Sequence, residues 1–405
     1  MFNRFAALAL RNLLRNTRRS LLTSGAVLLA VTASICLQGF GNGMLRLMAQ
    51  NYIHGSIGAI QIHRRGFLEA DTDPLKLDLE SNPALEAKIA RVPGVVAVAP
   101  RITFDAMLSN GAESTMVMVI AVDADRESRV CPDRWATSKG ARVGAGDSPD
   151  ALVGQTLAEG LGAQPGATLT LLSATQTGAS NALELNVRAL SAAPDPMTSK
   201  RIVVVPLGYA QRLLAMPGRV TELAVEVANP AQVAEIADRL SVTLGPDYDV
   251  RTWLRILPAA DAEIHRIHML LKIIASILFI LVLSGIVNTM LMGVYERVRE
   301  IGTMLAVGVQ RRQVVGLFLG EAMGLGVVGS IAGAALGLTL VATFGARGID
   351  VTPPGSNFSA VLRPFVSANY VAGAIVIAAI GAVAAAAYPA WRASKLTPVE
   401  ALRAV

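Results

Sequence analysis

The chain is 405 residues long, 53% hydrophobic, 16% charged and 5% aromatic, with a formal net charge of +6. An average soluble domain is about 45–50% apolar and about 25% charged, so this balance argues against a purely soluble protein and for the membrane. The basic surplus requires no nucleic-acid partner, because it gathers beside apolar runs where membrane topology accounts for it.

Residues 1–20 read as an amphipathic interfacial helix, with Phe2, Phe5, Leu8, Leu13 and Leu14 set among arginines. Such a segment suits the headgroup region and anionic lipid, although a plain basic flank satisfies the same pattern. Leu21–Phe40, Ile273–Val294 and Val366–Trp391 contain no charged residue, and Val314–Phe344 contains only Glu321. A spanning helix needs roughly 20 apolar residues, each adding about 1.5 Å across about 30 Å of hydrocarbon. Four transmembrane helices are therefore expected, at 21–40, 269–294, 314–344 and 366–391. An uncleaved first span is preferred to a signal peptide, because Ile35 occupies the position before Cys36 where a small residue is wanted.

Arg4, Arg11, Arg15, Arg18 and Arg19 precede the first span. Arg297, Arg299, Arg311 and Arg312 separate the second from the third, and Arg392, Lys395 and Arg403 follow the fourth. If all four segments cross, these groups share the cytoplasmic side. The expected layout places 41–268 and a short 345–365 loop outside, with a 295–313 connector and a 392–405 tail inside. Cys36 falls in the membrane and Cys131 in the outer region, so no internal disulfide is expected.

The first span continues into "GNGMLRLMAQNYIHG", where Met44, Leu45, Met48 and Tyr52 keep helical spacing, and "AADAEIHRIHMLLK" runs unbroken into the second span. Both read as helical stalks. Between them, strands are expected at Ala59–His63, Val95–Ala99, Met116–Val122, Thr168–Ser173, Leu183–Leu190, Arg201–Pro206 and Thr221–Val227. Helices are expected at Pro83–Ala90, Thr156–Leu161, Leu207–Ala215 and Pro230–Leu244, the last opened by Asn229 and Pro230. "VCPDRWATSKGARVGAGDSP" lacks periodicity and reads as a surface insertion. The fold class is thus a four-helix membrane protein with a large extracytoplasmic mixed α+β domain inserted between spans 1 and 2.

Gly316, Gly320 and Gly324, then Gly329, Gly333 and Gly337, recur at four-residue spacing along the third span. Small residues on one face favour close helix packing in lipid, within the chain or between subunits. Glu321 lies about two turns from Arg312 and reads as a carboxylate near the interface. His265 and His268, beside Glu263, are too few for a metal centre and read as an interfacial polar collar. No G-x-x-x-x-G-K-[ST] loop and no catalytic constellation is present, so neither a metal nor a catalytic residue is assigned. In the connector, Val294, Val298, Ile301 and Leu305 form an apolar stripe with Glu296, Glu300 and Thr303 away from it. This pattern predicts a short amphipathic helix along the membrane surface, suited to docking a partner.

"YERVREIGTMLAVGVQRRQVVGLFLGEAMGLGVVGSIAGAALG", the terminal "YPAWRASKLTPVEALR" and "ALVGQTLAEGLGAQPGATLTLLS" together resemble the FtsX-like permease family, which includes MacB-type and LolC/LolE-type proteins. The resemblance implies a dimerising ABC transporter subunit of the bacterial inner membrane that moves its periplasmic domain through mechanotransmission. The second permease would be another copy or a paralogue. A separate ATPase would hold ATP and Mg, with no cofactor on this chain, because no ATPase domain comparable to that of MacB precedes Arg4. Glu296, Arg297, Glu300, Gly302 and Gly308 would match the ATPase-coupling helix. Met304 and Leu305 depart from the family, which often carries a basic residue there.

The resemblance further implies extraction of lipoproteins or other lipid-bearing cargo from the outer leaflet, aided by a periplasmic lipoprotein chaperone or adaptor. Met44, Leu47, Met48, Ile267 and Leu271 would contact acyl chains or membrane lipid, or pack the stalks together. The alternatives are a tripartite efflux permease and a regulator of a periplasmic cell-wall hydrolase.

Overall fold

The computed structural model describes residues 17–69, 74–138, 141–191, 196–351 and 360–397. Most of the expected interfacial helix at 1–20, and Arg403 of the tail, lie outside those residues. The chain divides into two compact units: residues 1–45, 264–349 and 361–405 form one, and 46–263 with 350–360 form the other.

In chain order the longer helices are α1 (Thr17–Tyr52), α2 (Pro83–Ala90), α3 (Ala124–Val130), α4 (Gln155–Gly160), α5 (Leu207–Leu213), α6 (Val233–Leu244), α7 (Pro258–Glu296), α8 (Val298–Ala306), α9 (Arg311–Arg347) and α10 (Ala368–Ser394). Among the described residues four helical stretches are long and apolar enough to cross a membrane: Ser20–Ile57, which takes in most of α1, and α7, α9 and α10. Their number agrees with the sequence reading, but α1 and α7 run well past the apolar runs that announced them. At 36 and 39 residues they reach about 54 and 58 Å, beyond the roughly 30 Å of a hydrocarbon core. The stalks are thus continuous with the spans.

The membrane unit closes on small residues. A Cβ built on Gly329 would lie 2.7 Å from Ser24 O, one on Gly333 2.6 Å from Leu28 O, and one on Gly337 3.0 Å from Ile35 Cβ. Thr32 Oγ1 donates to Gly333 O at 3.0 Å, fixing the register of α1 on α9. On α10, Gly381 meets the Phe279 ring of α7, and Ala382 meets Gly326 of α9. Gly316 and Gly320 have nothing within 4 Å, and Gly324 is half-buried. The later three glycines seat α1, whereas a Cβ at Gly316 or Gly320 would meet nothing within 4 Å among the described residues.

The inserted unit holds a mixed sheet of β1 (Ile60–Arg64), β3 (Val95–Ser109), β4 (Ser114–Val122), β5 (Asp150–Gly154), β6 (Thr168–Ala174), β7 (Ser180–Ser191), β8 (Ile202–Pro206), β10 (Glu222–Val227) and β11 (Tyr248–Thr252). The minor strands β2 (Leu79–Glu80) and β9 (Arg219–Val220) pair separately. The order is β11-β1-β10-β3-β4-β8-β5-β7-β6, and β6 returns to pair with the far end of β3 at Met107–Ser109. Six strands thus close into a ring, and β10, β1 and β11 extend from the near end of β3 as a wing. The 15-residue β3 belongs to both parts, which is why no lobe boundary shows in the sequence.

Local signals explain most elements. Asn82 accepts from Ala84 N ahead of Pro83, a capped start for α2. α6 buries Val233, Ile236, Ala237, Leu240 and Leu244 on one face and stops at Gly245, whose φ is +89°. The stretch expected as a surface insertion is a correction: Cys131, Arg134, Trp135 and Val143 within it are buried. A short 3₁₀ segment, Pro132–Ser138, carries Arg134 and Trp135, and Trp135 joins Ile120, Leu152 and Val204 in an apolar cluster beside the ring.

Candidate coupling helix and its seat

The connector between α7 and α9 folds as the amphipathic pattern demands. α7 ends at Glu296, and a single non-helical residue, Arg297, turns the chain into α8. Ile301 N bonds back to Arg297 O at 2.9 Å, so the first turn of α8 starts immediately. At its far end Gly308 adopts φ +96°, and Val309 N reaches Met304 O at 3.0 Å, closing the helix in a Schellman-type turn. Gln310 then opens α9 through a reciprocal side-chain and backbone cap with Gln313. Two stops and two starts between Glu296 and Arg311 make this a defined helix and not a loose hairpin.

The apolar stripe faces inward. Val294, Ile301, Val314, Phe318, Ala390 and Ala393 form a buried cluster, with Met304, Leu305, Val309 and Leu396 packed against it. α8 is thereby seated on the adjoining ends of α9 and α10. Gly302 is buried beside Ile301, leaving Glu296, Arg299, Glu300, Thr303 and Val307 on the exposed side. Val307 is 86% exposed at the helix end, an apolar tip that stripe counting missed because it lies off the i, i+4, i+7 face.

The five residues assigned to ATPase coupling therefore separate. Glu296, Glu300 and Gly308 are exposed, and Gly302 belongs to the seat. Arg297 is half-buried: its guanidinium turns into the bundle, where Nη1 stands 3.4 Å from Glu321 Oε2. Their side chains are only 11% and 3% exposed. Glu321 is accordingly a buried member of an ion pair with the connector residue Arg297. A buried carboxylate is costly without such a partner, and the N-cap residue of α8 supplies one. Arg392 adds a cation–π contact to Tyr295, 5.5 Å from the ring centroid, tying the end of α10 to the end of α7.

The five residues assigned to substrate contact differ in their exposure. Leu47 is buried, Met44, Met48 and Ile267 are half-buried, and Leu271 presses on the backbone of α1 where a Cβ at Gly41 would meet its Cδ1 at 2.4 Å. A groove of about 430 Å³ opens between α1, α7 and α10, lined by residues that include Val27, Val31, Phe279 and Ile286. The Ser34–Tyr370 hydrogen bond, 2.9 Å long, lies on its wall. His265 and His268 are both exposed on α7.

Residues 20–242 match the MacB-like periplasmic core domain, and residues 272–398 match the FtsX-like permease C-terminal family. The chain is 26% identical over 417 residues to the macrolide export ATP-binding/permease protein MacB of Nitrobacter winogradskyi, covering 98% of this chain and 59% of that protein. It is 27% identical over 242 residues to the protein of the same name from Bdellovibrio bacteriovorus, covering 54% of this chain and 34% of that one. The chain thus spans about a third to three fifths of the length of these curated relatives. The crystal structure of the periplasmic region of MacB from Actinobacillus actinomycetemcomitans aligns with 52% of this chain and 95% of its own, at 10% identity and a TM-score of 0.34.

Proposed function

We propose that this chain, which belongs to the FtsX-like, MacB-type family of ABC transporter permeases, docks a cytoplasmic ATPase on α8 and passes its motion to the inserted periplasmic-type domain. The observation that carries this reading is α8 itself, an amphipathic helix whose apolar face is fixed on α9 and α10 while Glu296, Arg299, Glu300 and Thr303 stay exposed. A helix with that division can receive a push on its polar side without detaching from the bundle. ATP and Mg belong to the ATPase in this reading, and the permease works with a second permease copy or paralogue.

The arginines beside α1, α8 and α10 support a cytoplasmic placement for α8 and for both termini, in an inner membrane. The cargo reading is a lipoprotein or another lipid-bearing molecule taken from the outer leaflet and handed to a periplasmic chaperone or adaptor. Its support is the apolar groove between α1, α7 and α10. The names of the MacB relatives favour the second reading, export of a macrolide-like small molecule.

The test of docking is the double variant Glu296→Lys, Glu300→Lys in the membrane-inserted protein. It is expected to weaken ATPase co-purification at least tenfold, on the order of the 1.4 kcal/mol that mispaired interface charges cost. Wild-type association by an inserted variant would overturn the placement of the dock. Reconstitution with the ATPase then separates the cargo readings: ATP-dependent lipoprotein release supports the first, and ATP-dependent erythromycin efflux without lipoprotein release supports the second.

A further inference from the structure

Immediately after α1 the chain makes one π-helical turn, Ile53–Ile57, and leaves it at Gly58, whose φ is +87°. Two residues later it is a strand, β1. A helix end exposes carbonyls with no partner in the helix, and water or side chains must take them. Here buried side chains take two of them, Ser56 O and Ile57 O, and add a second donor to Ile53 O, which already accepts from Gly58 N. Arg101 Nη1 donates to Ile57 O at 2.7 Å and to Ser56 O at 3.3 Å. Arg134 Nη2 also donates to Ser56 O, and Cys131 Sγ donates to Ile53 O at 3.1 Å.

The donors are themselves locked. Glu127 receives Arg101 through two bonds, at 2.9 and 2.8 Å, and Arg134 Nε at 2.5 Å. Glu222 Oε1 stands 3.6 Å from Arg101 Nη1, so two guanidinium groups face two carboxylates. Arg101, Glu127 and Arg134 are 1%, 0% and 4% exposed. Burying four charged side chains is expensive, and hydrophobic residues would stabilise the fold at least as well. What charge provides here, and an apolar core cannot, is directional grip on backbone carbonyls. Arg101 lies on β3, paired with Glu222 of β10, so the grip connects the π-turn to the spine of the sheet.

We infer that Arg101, Glu127 and Arg134 are positioning residues for transport: they weld the end of α1 to the sheet, so that axial movement of α1 displaces β1, β10 and β3 as one body. The inference rests on the reading of the chain as a mechanically driven permease. Without the weld the π-turn is the compliant link, because it is a single π-helical turn between a long helix and a strand. Movement of α1 would then unravel that turn and leave the sheet behind.

The test is hydrogen exchange of the full chain in lipid nanodiscs, alone and with its co-expressed ATPase during Mg-ATP turnover. The wild type is expected to hold the Ile53–Gly58 amides protected in both conditions. Arg134→Lys keeps a cation beside Glu127 but loses the planar fork that spans Glu127 and Ser56 O. It is expected to match the wild type without ATP and to exchange roughly ten- to a hundredfold faster at Ile53–Gly58 under turnover, as loss of a charge-assisted bond implies. Protection in β3 and β10 should not change. An equal rise with and without ATP, or no rise under turnover, overturns the inference, since a merely structural contact gives no dependence on turnover. Failure of the wild-type chain to retain any ATPase removes the driving motion and overturns both this inference and the docking reading. Glu127→Gln serves as the stronger variant; should it fail to fold, Arg134→Lys still decides.

Discussion

Glu127 and Glu321 are both buried carboxylates facing arginine, and the protein serves them differently. Glu127 takes three bonds of 2.5–2.9 Å from Arg101 and Arg134. Glu321 has Arg297 Nη1 at 3.4 Å, a longer and less directed contact. The first site joins Arg101 and Glu222, paired across β3 and β10, to Glu127 on α3 and Arg134 on the 3₁₀ segment. The second joins α9 to the residue where α7 breaks into α8, between two elements that the seat holds by apolar packing. The contrast separates a charge cluster built to be rigid from one that tolerates adjustment at the point where motion is proposed to enter.

Breaking the first cluster should have the largest effect. Glu127→Gln leaves two buried guanidinium groups without their shared anion, and the inserted unit is expected to lose about 3–5 kcal/mol, seen as a large fall in its thermal midpoint. Glu321→Gln should cost less, about 1–3 kcal/mol of bundle stability, because the contact to Arg297 that it weakens is longer than those of Glu127. Exchanging the pair, Arg297→Glu with Glu321→Arg, should recover part of that loss in detergent melting curves; no recovery would mean that the pair does not act as a pair.

Packing offers the same contrast without charge. Gly333→Ala puts a methyl 2.6 Å from a backbone oxygen of α1 and should destabilise the bundle by about 1–3 kcal/mol. Gly320→Ala meets nothing within 4 Å, and the isolated chain should melt as the wild type does or slightly higher.

The smallest effects are pH dependences of the inserted unit. Burial holds the His63 imidazole below its ordinary value despite Glu222, so the folded state prefers it neutral. Its contribution is present above pH 6.5 and is lost as pH falls through the lowered pKa, and His63→Gln should flatten that acid limb. His54 moves the other way, raised chiefly by its hydrogen bond to Glu226 Oε1 at 3.2 Å. Its contribution is complete below pH 6.5 and fades as pH rises through the raised pKa, so His54→Gln should lose stability only on the acid side. Melting series from pH 5 to 8 check both signs.

What the sequence displayed plainly was whatever repeats along the chain: apolar runs, alternating strands, capped helices and the stripe of α8. Pro83–Ala90 forms as read, and the expected strand at Thr168–Ser173 differs from β6 by one residue. The expected strand at Val95–Ala99 stopped far short, because Pro100 and Arg101 look like an ending. The strand continues through them since Leu223 pairs with Pro100 and Glu127 neutralises Arg101 from 26 residues away. The same distance hid Cys131 and Arg134, whose partners lie on other elements and leave no local period. Arg297 and Glu321, 24 residues apart, were each visible, but nothing along the chain announces that they meet.

Thr32 and Gly333 touch across 301 residues of chain. During synthesis α1 is delivered first, and the glycine seam that will hold it is made only after the whole inserted unit and α7. A new α1 therefore waits in the bilayer as an independent helix, its Thr32 hydroxyl not yet keyed to any neighbour. The strands from β1 to β11 are complete by Thr252, before the membrane-crossing part of α7 exists. Folding in order of emergence thus finishes the outer sheet while the bundle is still open. A ribosome stalled before Gly333 would leave a finished domain hanging on an unfastened helix.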